Sequence, residues 1–184
     1  MTAERPVPEG LLARFGIAEG AIAPLGHGLI NHTWCVTLPD GSRRVLQRVN
    51  PIFPPTVNED IAAVTRHLAA AGMATPTLMP TVDGRLWVEQ DDGVWRLMSF
   101  VDGVCRNALE TPAQARAAGA LLGRFHRALD GLDHRFAHPR LGVHDTARHL
   151  AALEAALESH RDHADYDRIA PLGETILARS RALP

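Results

Sequence analysis

Between Ile22 and Val49 the chain alternates short strand-forming runs with turn residues, and that alternation fixes its local topology. An apolar entry over Ile22 to Leu25 is broken by Gly26-His27-Gly28, and Thr33 to Leu38 is rich in β-branched and aromatic residues. Pro39-Asp40-Gly41-Ser42 reads as a hairpin turn, because proline presets φ and glycine accepts a positive φ. Arg43 to Val49 returns as the partner strand. Connections this short join antiparallel neighbours, so the segment is predicted to be an antiparallel meander.

More elements follow the same logic. Pro8 to Phe15 is predicted as a short helix, with Leu11, Leu12 and Phe15 on one face. After a proline-rich loop over Pro51 to Pro55, Val57, Ile61, Val64 and Leu68 recur at helical spacing, predicting a helix with one buried stripe that ends at Gly72. Met79 to Val82 and Gly84 to Glu89 read as strands around an Asp83-Gly84 turn, and Val94 to Phe100 as a further strand. Past Asp102-Gly103 the period becomes helical. Pro112 to Leu129 repeats Ala118, Leu121, Leu122, Phe125 and Leu129, with Thr111 as N-cap ahead of Pro112. Asp145 to Leu157 and Leu172 to Leu183 are predicted as two more helices. The class is therefore α+β, with a strand-rich lobe over 1–101 and a helical one over 102–184.

Composition narrows the function classes. A formal net charge of −2 gives no basis for a general nucleic-acid or membrane-surface partner. Two cysteines, Cys35 and Cys105, fit no metal-binding pair and no disulfide framework. Residues Met1 to Gly10 carry no apolar signal core, and no apolar run approaches the ~18 residues of a membrane span, so a cytoplasmic setting is expected. All nineteen cations are arginine, a bias that bears on how a lysine position would be filled.

Several residues fit phosphate and nucleotide chemistry. The turn from Gly26 through Thr33 can bring backbone N–H groups against an anion, with Asn31 and Thr33 adding side-chain donors; an ordinary hairpin turn has the same residues. Arg48, ending a strand, can hold phosphates as a planar fork or simply face solvent. Glu59 can pair with Arg48, or be one of the acids favoured near a helix N-terminus. Ser99, Phe100 and Val101 combine apolar side chains with exposed backbone, which suits an adenine ring as well as a plain edge strand. His134 and His138, and the cluster His160, Asp162, His163, Asp165 and Asp167, lack HExxH or paired-cysteine context and read as solvated loops.

The order of these features resembles the aminoglycoside phosphotransferase and choline kinase-like superfamily, of protein-kinase-like fold. The motifs that carry the resemblance are Gly28-Leu29-Ile30-Asn31-His32-Thr33-Trp34, Leu46-Gln47-Arg48-Val49-Asn50 and the Val57 to Leu68 helix. Within the superfamily they look most like the N-acetylhexosamine 1-kinase branch, as do Gly123-Arg124-Phe125-His126-Arg127-Ala128-Leu129 and Val143-His144-Asp145-Thr146. The resemblance implies an N-lobe of antiparallel sheet plus one main helix, then the first helices of an incomplete helical C-lobe. It implies that Gly26, His27, Gly28, Asn31 and Thr33 cover ATP phosphates, that Arg48 is the phosphate-binding cation with Glu59 as its helix partner, and that Ser99, Phe100 and Val101 form the adenine hinge. ATP and Mg²⁺ would be used, and a sugar or aminoglycoside-type hydroxyl would be the acceptor.

Phosphoryl transfer in this superfamily also needs an aspartate in a His-x-Asp-x-x-x-x-Asn-type loop and a downstream metal-binding aspartate. His144-Asp145-Thr146 has the wrong spacing, and no asparagine lies beyond Asn107, so Asp145 reads as a helix N-cap and no catalytic or metal-ligating residue is assigned. The expectation is a phosphotransferase fragment ending before its catalytic loop, inactive alone and exposing apolar faces on its later helices through which it self-associates. The competing readings are a non-catalytic nucleotide- or partner-binding module and a plain α+β structural protein.

Overall fold

Short turns and alternating side chains build one six-stranded sheet, and its most buried strand, over Gly93–Ser99, pairs with three others. The computed structural model describes residues 7–26, 30–91, 93–104, 106–137, 142–143 and 145–181. In chain order the elements are α1 (Leu11–Arg14), β1 (Ala21–Pro24), β2 (His32–Thr37), β3 (Arg43–Val49), α2 (Val57–Ala70), β4 (Leu78–Met79), β5 (Val88–Gln90), β6 (Gly93–Ser99), α3 (Pro112–Leu129), α4 (Thr146–Ser159) and α5 (Tyr166–Ser180). The strands run β1-β2-β3-β6-β4, with β5 also paired to β6, and every pairing is antiparallel. The α+β class and the meander are as expected.

Alternation along the strands gives the sheet two faces. On one, Trp34, Val36, Leu46, Trp95 and Leu97 meet Leu11 and Phe15 of the first helix and its end. Trp34 and Trp95 contact each other with ring centroids 5.4 Å apart. On the other, α2 lies against the sheet at Arg96. Gly93 must lack a side chain, because a Cβ there would sit 2.8 Å from both Arg48 Nε and Trp95 Nε1.

Four sequence expectations need adjusting. The first helix is a single turn, Leu11–Arg14, entered from Gly10 at φ 72. The strands expected over Met79 to Val82 and Gly84 to Glu89 are shorter, β4 at Leu78–Met79 and β5 at Val88–Gln90, each bonded to β6, and residues 81–85 form a turn closed by Thr81 and Arg85. The apolar stripe of α2 is only partly buried; Val57, Ile61 and Val64 are intermediate, and its most buried positions include Asn58 and Asp60, which have polar partners. The last helix starts at Tyr166, before Pro171, and Gly173 packs against Leu157, where a Cβ would meet Leu157 Cδ1 at 2.8 Å.

Helix α3 matches its expected span, and Thr111 caps it through a capping box with Gln114. Asp145 caps α4 by accepting from the Arg148 N–H. Two compact units are present, residues 1–138 and 139–184. Leu121 and Leu122 on α3, and Ile169, Leu172 and Ile176 on α5, are exposed. Among the described residues no helix is long and apolar enough to cross a membrane.

The sheet's packing makes one position decisive. Leu46 is wholly buried in the cluster with Trp34 and Leu97. Leu46→Ala should cost about 2–5 kcal/mol in urea unfolding of the strand-rich unit, through lost transfer energy and the cavity left behind. A loss below about 1 kcal/mol would contradict this core assignment.

Candidate functional site

The sheet face turned toward α2 carries side chains in rows that cross several strands. Ala23, Cys35, Val45, Met98 and Leu78 are successive register partners on β1, β2, β3, β6 and β4. Cross-strand partners share a face, so this is one apolar row. Cys35 and Val45 are only half-buried. The next row, nearer the glycine turn, is polar: Thr33, Gln47 and Arg96 are partners on β2, β3 and β6.

The polar row is tied together. Gln47 Nε2 donates to Thr33 Oγ1 at 3.0 Å. Arg96 Nε and Nη2 both donate to Gln47 Oε1, at 3.0 and 2.7 Å. Arg96 Nη1 donates to Asn58 Oδ1 on α2 at 3.1 Å, and Asn58 Nδ2 donates to the Pro55 carbonyl at 2.9 Å. Arginine has no acceptor, so it sets the orientation of both amides. Asn58 is wholly buried and Arg96 is 8% exposed. Burial pushes the Arg96 pKa below its ordinary value, yet a guanidinium stays charged at neutral pH.

The turn itself is clasped at its base. Asn31 Oδ1 accepts from the Asn50 N–H at 3.0 Å, and Asn50 Nδ2 donates to the Ile30 carbonyl at 3.0 Å. Gly26 enters the turn at φ 71, a conformation that favours glycine. At the other end of the face, the Arg43 guanidinium stacks on Phe100 at 3.9 Å and pairs with Asp102. Elsewhere, the α2 carboxylate Asp60 accepts from the Ala137 N–H at 2.9 Å and bonds His134 Nε2 at 2.8 Å, so His134 is tied to α2 and is not in a solvated loop.

Residues 21–184 match the family model described as the phosphotransferase enzyme family. The chain belongs to that family. The sheet and helices are also similar to solved phosphotransferase structures. An aminoglycoside phosphotransferase from Alicyclobacillus acidocaldarius matches with TM-score 0.62 at 16% identity, over 98% of this chain and 53% of that one. The amicoumacin kinase hAmiN, solved with AMP-PNP, Ca²⁺ and Ami, matches with TM-score 0.58 at 16% identity, over 89% and 49%. A spectinomycin phosphotransferase solved with ADP and spectinomycin matches with TM-score 0.53 at 14% identity, over 98% and 60%. Such identities establish a shared fold, and the chain spans between 49% and 60% of the length of these three structures.

In this phosphotransferase-family chain the expected site residues do not all come together. His27 and Gly28 lie outside the described residues. Thr33 joins the polar row, while the Asn31 side-chain oxygen Oδ1 is engaged in the clasp. Ser99 ends β6, where its N–H and its hydroxyl are both bonded to Thr77. Phe100 and Val101 follow immediately, and Val101 is exposed.

Arg48 requires correction. It shares a face with Leu46 and lies against Trp95, its guanidinium carbon 6.0 Å from the ring centroid, away from the polar row. Glu59 is exposed, and among the described residues no ion pair joins it to Arg48. The reason is strand parity: adjacent residues point to opposite faces, so Gln47, and not Arg48, looks toward α2. Sequence reading missed Arg96, Gln47 and Asn58. The available signal was a lone charge inside the apolar run Val94-Trp95-Arg96-Leu97-Met98.

Among the described residues no three His, Cys, Asp or Glu side chains converge as a cation site. The donor set here is arginine, amide and hydroxyl, which suits anionic oxygen and does not suit a divalent metal.

The clasp can be tested directly. Asn31→Ala should cost about 1 kcal/mol and speed hydrogen exchange at the Asn50 amide, which loses its acceptor. Unchanged exchange at Asn50 would contradict the clasp.

Proposed function

We propose that the intact protein is an ATP-dependent phosphotransferase that moves the γ-phosphoryl group to a hydroxyl of a small molecule, of the sugar or aminoglycoside type. In this reading residues 1–101 form the ATP-binding lobe and 102–184 begin the helical lobe. One observation carries the reading: the α2-facing side of the sheet sets a half-buried apolar row directly beside a polar one at the base of the glycine turn. The ring of an adenine nucleotide needs the first surface and its phosphates need the second. Membership of the phosphotransferase family supports the same assignment.

The adenine ring would lie on Cys35, Val45 and Met98, with its edge toward Phe100 and Val101. The turn that begins at Gly26 would cover the phosphates. Phosphoryl transfer in this class relies on positioning, on charge stabilisation and on an aspartate that orients the acceptor hydroxyl. No residue described here is assigned that aspartate's part. The 184 residues are proposed to bind nucleotide without turning it over, with Mg²⁺ entering on the phosphates of ATP. The setting proposed is cytoplasmic.

Cys35 gives a local reporter. MgATP and adenosine should each slow alkylation of Cys35, followed peptide by peptide by mass spectrometry, because the ring covers its side chain. The full-length gene product should also release ADP only when a hydroxyl acceptor from a panel of sugars and aminoglycosides is present. Alkylation of Cys35 at an unchanged rate under saturating MgATP would contradict the placement of the ring.

A further inference from the structure

Resting on the phosphotransferase reading above, we propose that Arg96, on the strand leading to the hinge, supplies the fixed positive charge for the nucleotide's phosphates. It would take the place of the β3 cation that such folds ordinarily use.

The argument starts from a buried charge. Arg96 is 8% exposed and its three hydrogen bonds go to neutral amide oxygens of Gln47 and Asn58. Among the described residues no carboxylate lies within ion-pairing distance of it. A buried charge is costly unless it is paired, and amides offset only part of that cost. A guanidinium bridging two amides is therefore a poor choice for stability alone. It is a good choice for a place that an anion will occupy.

Position agrees with this. Gln47 is the β3 residue that faces α2 beside the turn, and an amide there carries no charge. Arg96 sits directly across from it on β6, and two of its N–H groups converge on one Gln47 oxygen, which fixes the guanidinium plane. Arginine offers five N–H donors and these bonds use three. Thr33 accepts from Gln47, so its own hydroxyl proton is left to donate on the same row. Asn58 stands on α2 where a carboxylate would ordinarily pair with the β3 cation. An asparagine there holds the guanidinium without neutralising it. The usual neutral cation–carboxylate pair is thus replaced by Gln47–Arg96–Asn58, which carries a net positive charge.

Calorimetric titration of the full-length gene product with MgATP, MgADP and adenosine tests this. Arg96→Gln should weaken MgATP and MgADP about ten- to a hundredfold while adenosine changes by less than about twofold. Gln47→Glu supplies the missing carboxylate, so it should raise the melting temperature and yet weaken MgATP about tenfold. Unchanged MgATP affinity in a folded Arg96→Gln protein, or an equal loss for adenosine, would overturn the proposal. Should Arg96→Gln fail to fold, Gln47→Glu decides: MgATP binding as tight as wild type overturns it. Absence of both MgATP and adenosine binding in the wild-type protein would instead overturn the phosphotransferase reading itself.

Discussion

The hydrogen-bonded bridge from Gln47 through Arg96 to Asn58 ties together the three elements around which the first unit is arranged. It links β3 to β6 within the sheet and joins that sheet to α2. Each member is fixed by the others: the guanidinium has only donors, so both amides must turn their oxygens toward it. Such a network orders its surroundings when fully satisfied and is costly when one member is lost. The apolar cluster around Leu46 and Trp95 supplies the bulk of the cohesion on the opposite face. The polar bridge decides how α2 is held and what the site-facing rows present.

Much of the architecture was legible because it depends on local rules. Arg43–Val49 and Pro112–Leu129 were found at their full spans, one from a tight turn and alternation, the other from period and a capping threonine. The segment between Leu78 and Gln90 was less legible. Two short strands there pair with β6 and not with each other, a choice made by the sheet and not by the intervening turn. The last helix was expected from Leu172, but it begins at Tyr166 and carries Pro171 inside it.

The motifs around the candidate site were legible in sequence; which of their side chains share the α2-facing row was not. Reading for charge selects Arg48, the only cation between Val45 and Pro51. Parity selects Gln47, because the residue beside Arg48 is the one that faces α2. The same one-residue offset recurs on the helix, where Glu59 was expected and Asn58 makes the contact. In the folded sheet β6 is covered on one face by the Leu11 cluster and on the other by α2, which buries the single arginine of its apolar run. That burial depends on the sheet order, which local sequence does not carry. Asn31 and Asn50 were recognised as part of a motif, but their clasp across the turn became evident only from the register of β2 and β3.

On the reading proposed above, a nucleotide lies along the α2-facing rows and Arg96 of β6 supplies the charge beneath its phosphates. The most direct measurement is a crystal structure of the full-length gene product with a non-hydrolysable ATP analogue. The account predicts a phosphate oxygen within about 3.2 Å of an Arg96 N–H donor, or joined to it by one ordered water, with the adenine on Cys35, Val45 and Met98. Phosphates held by Arg48, or an adenine on the opposite face of the sheet, would contradict it.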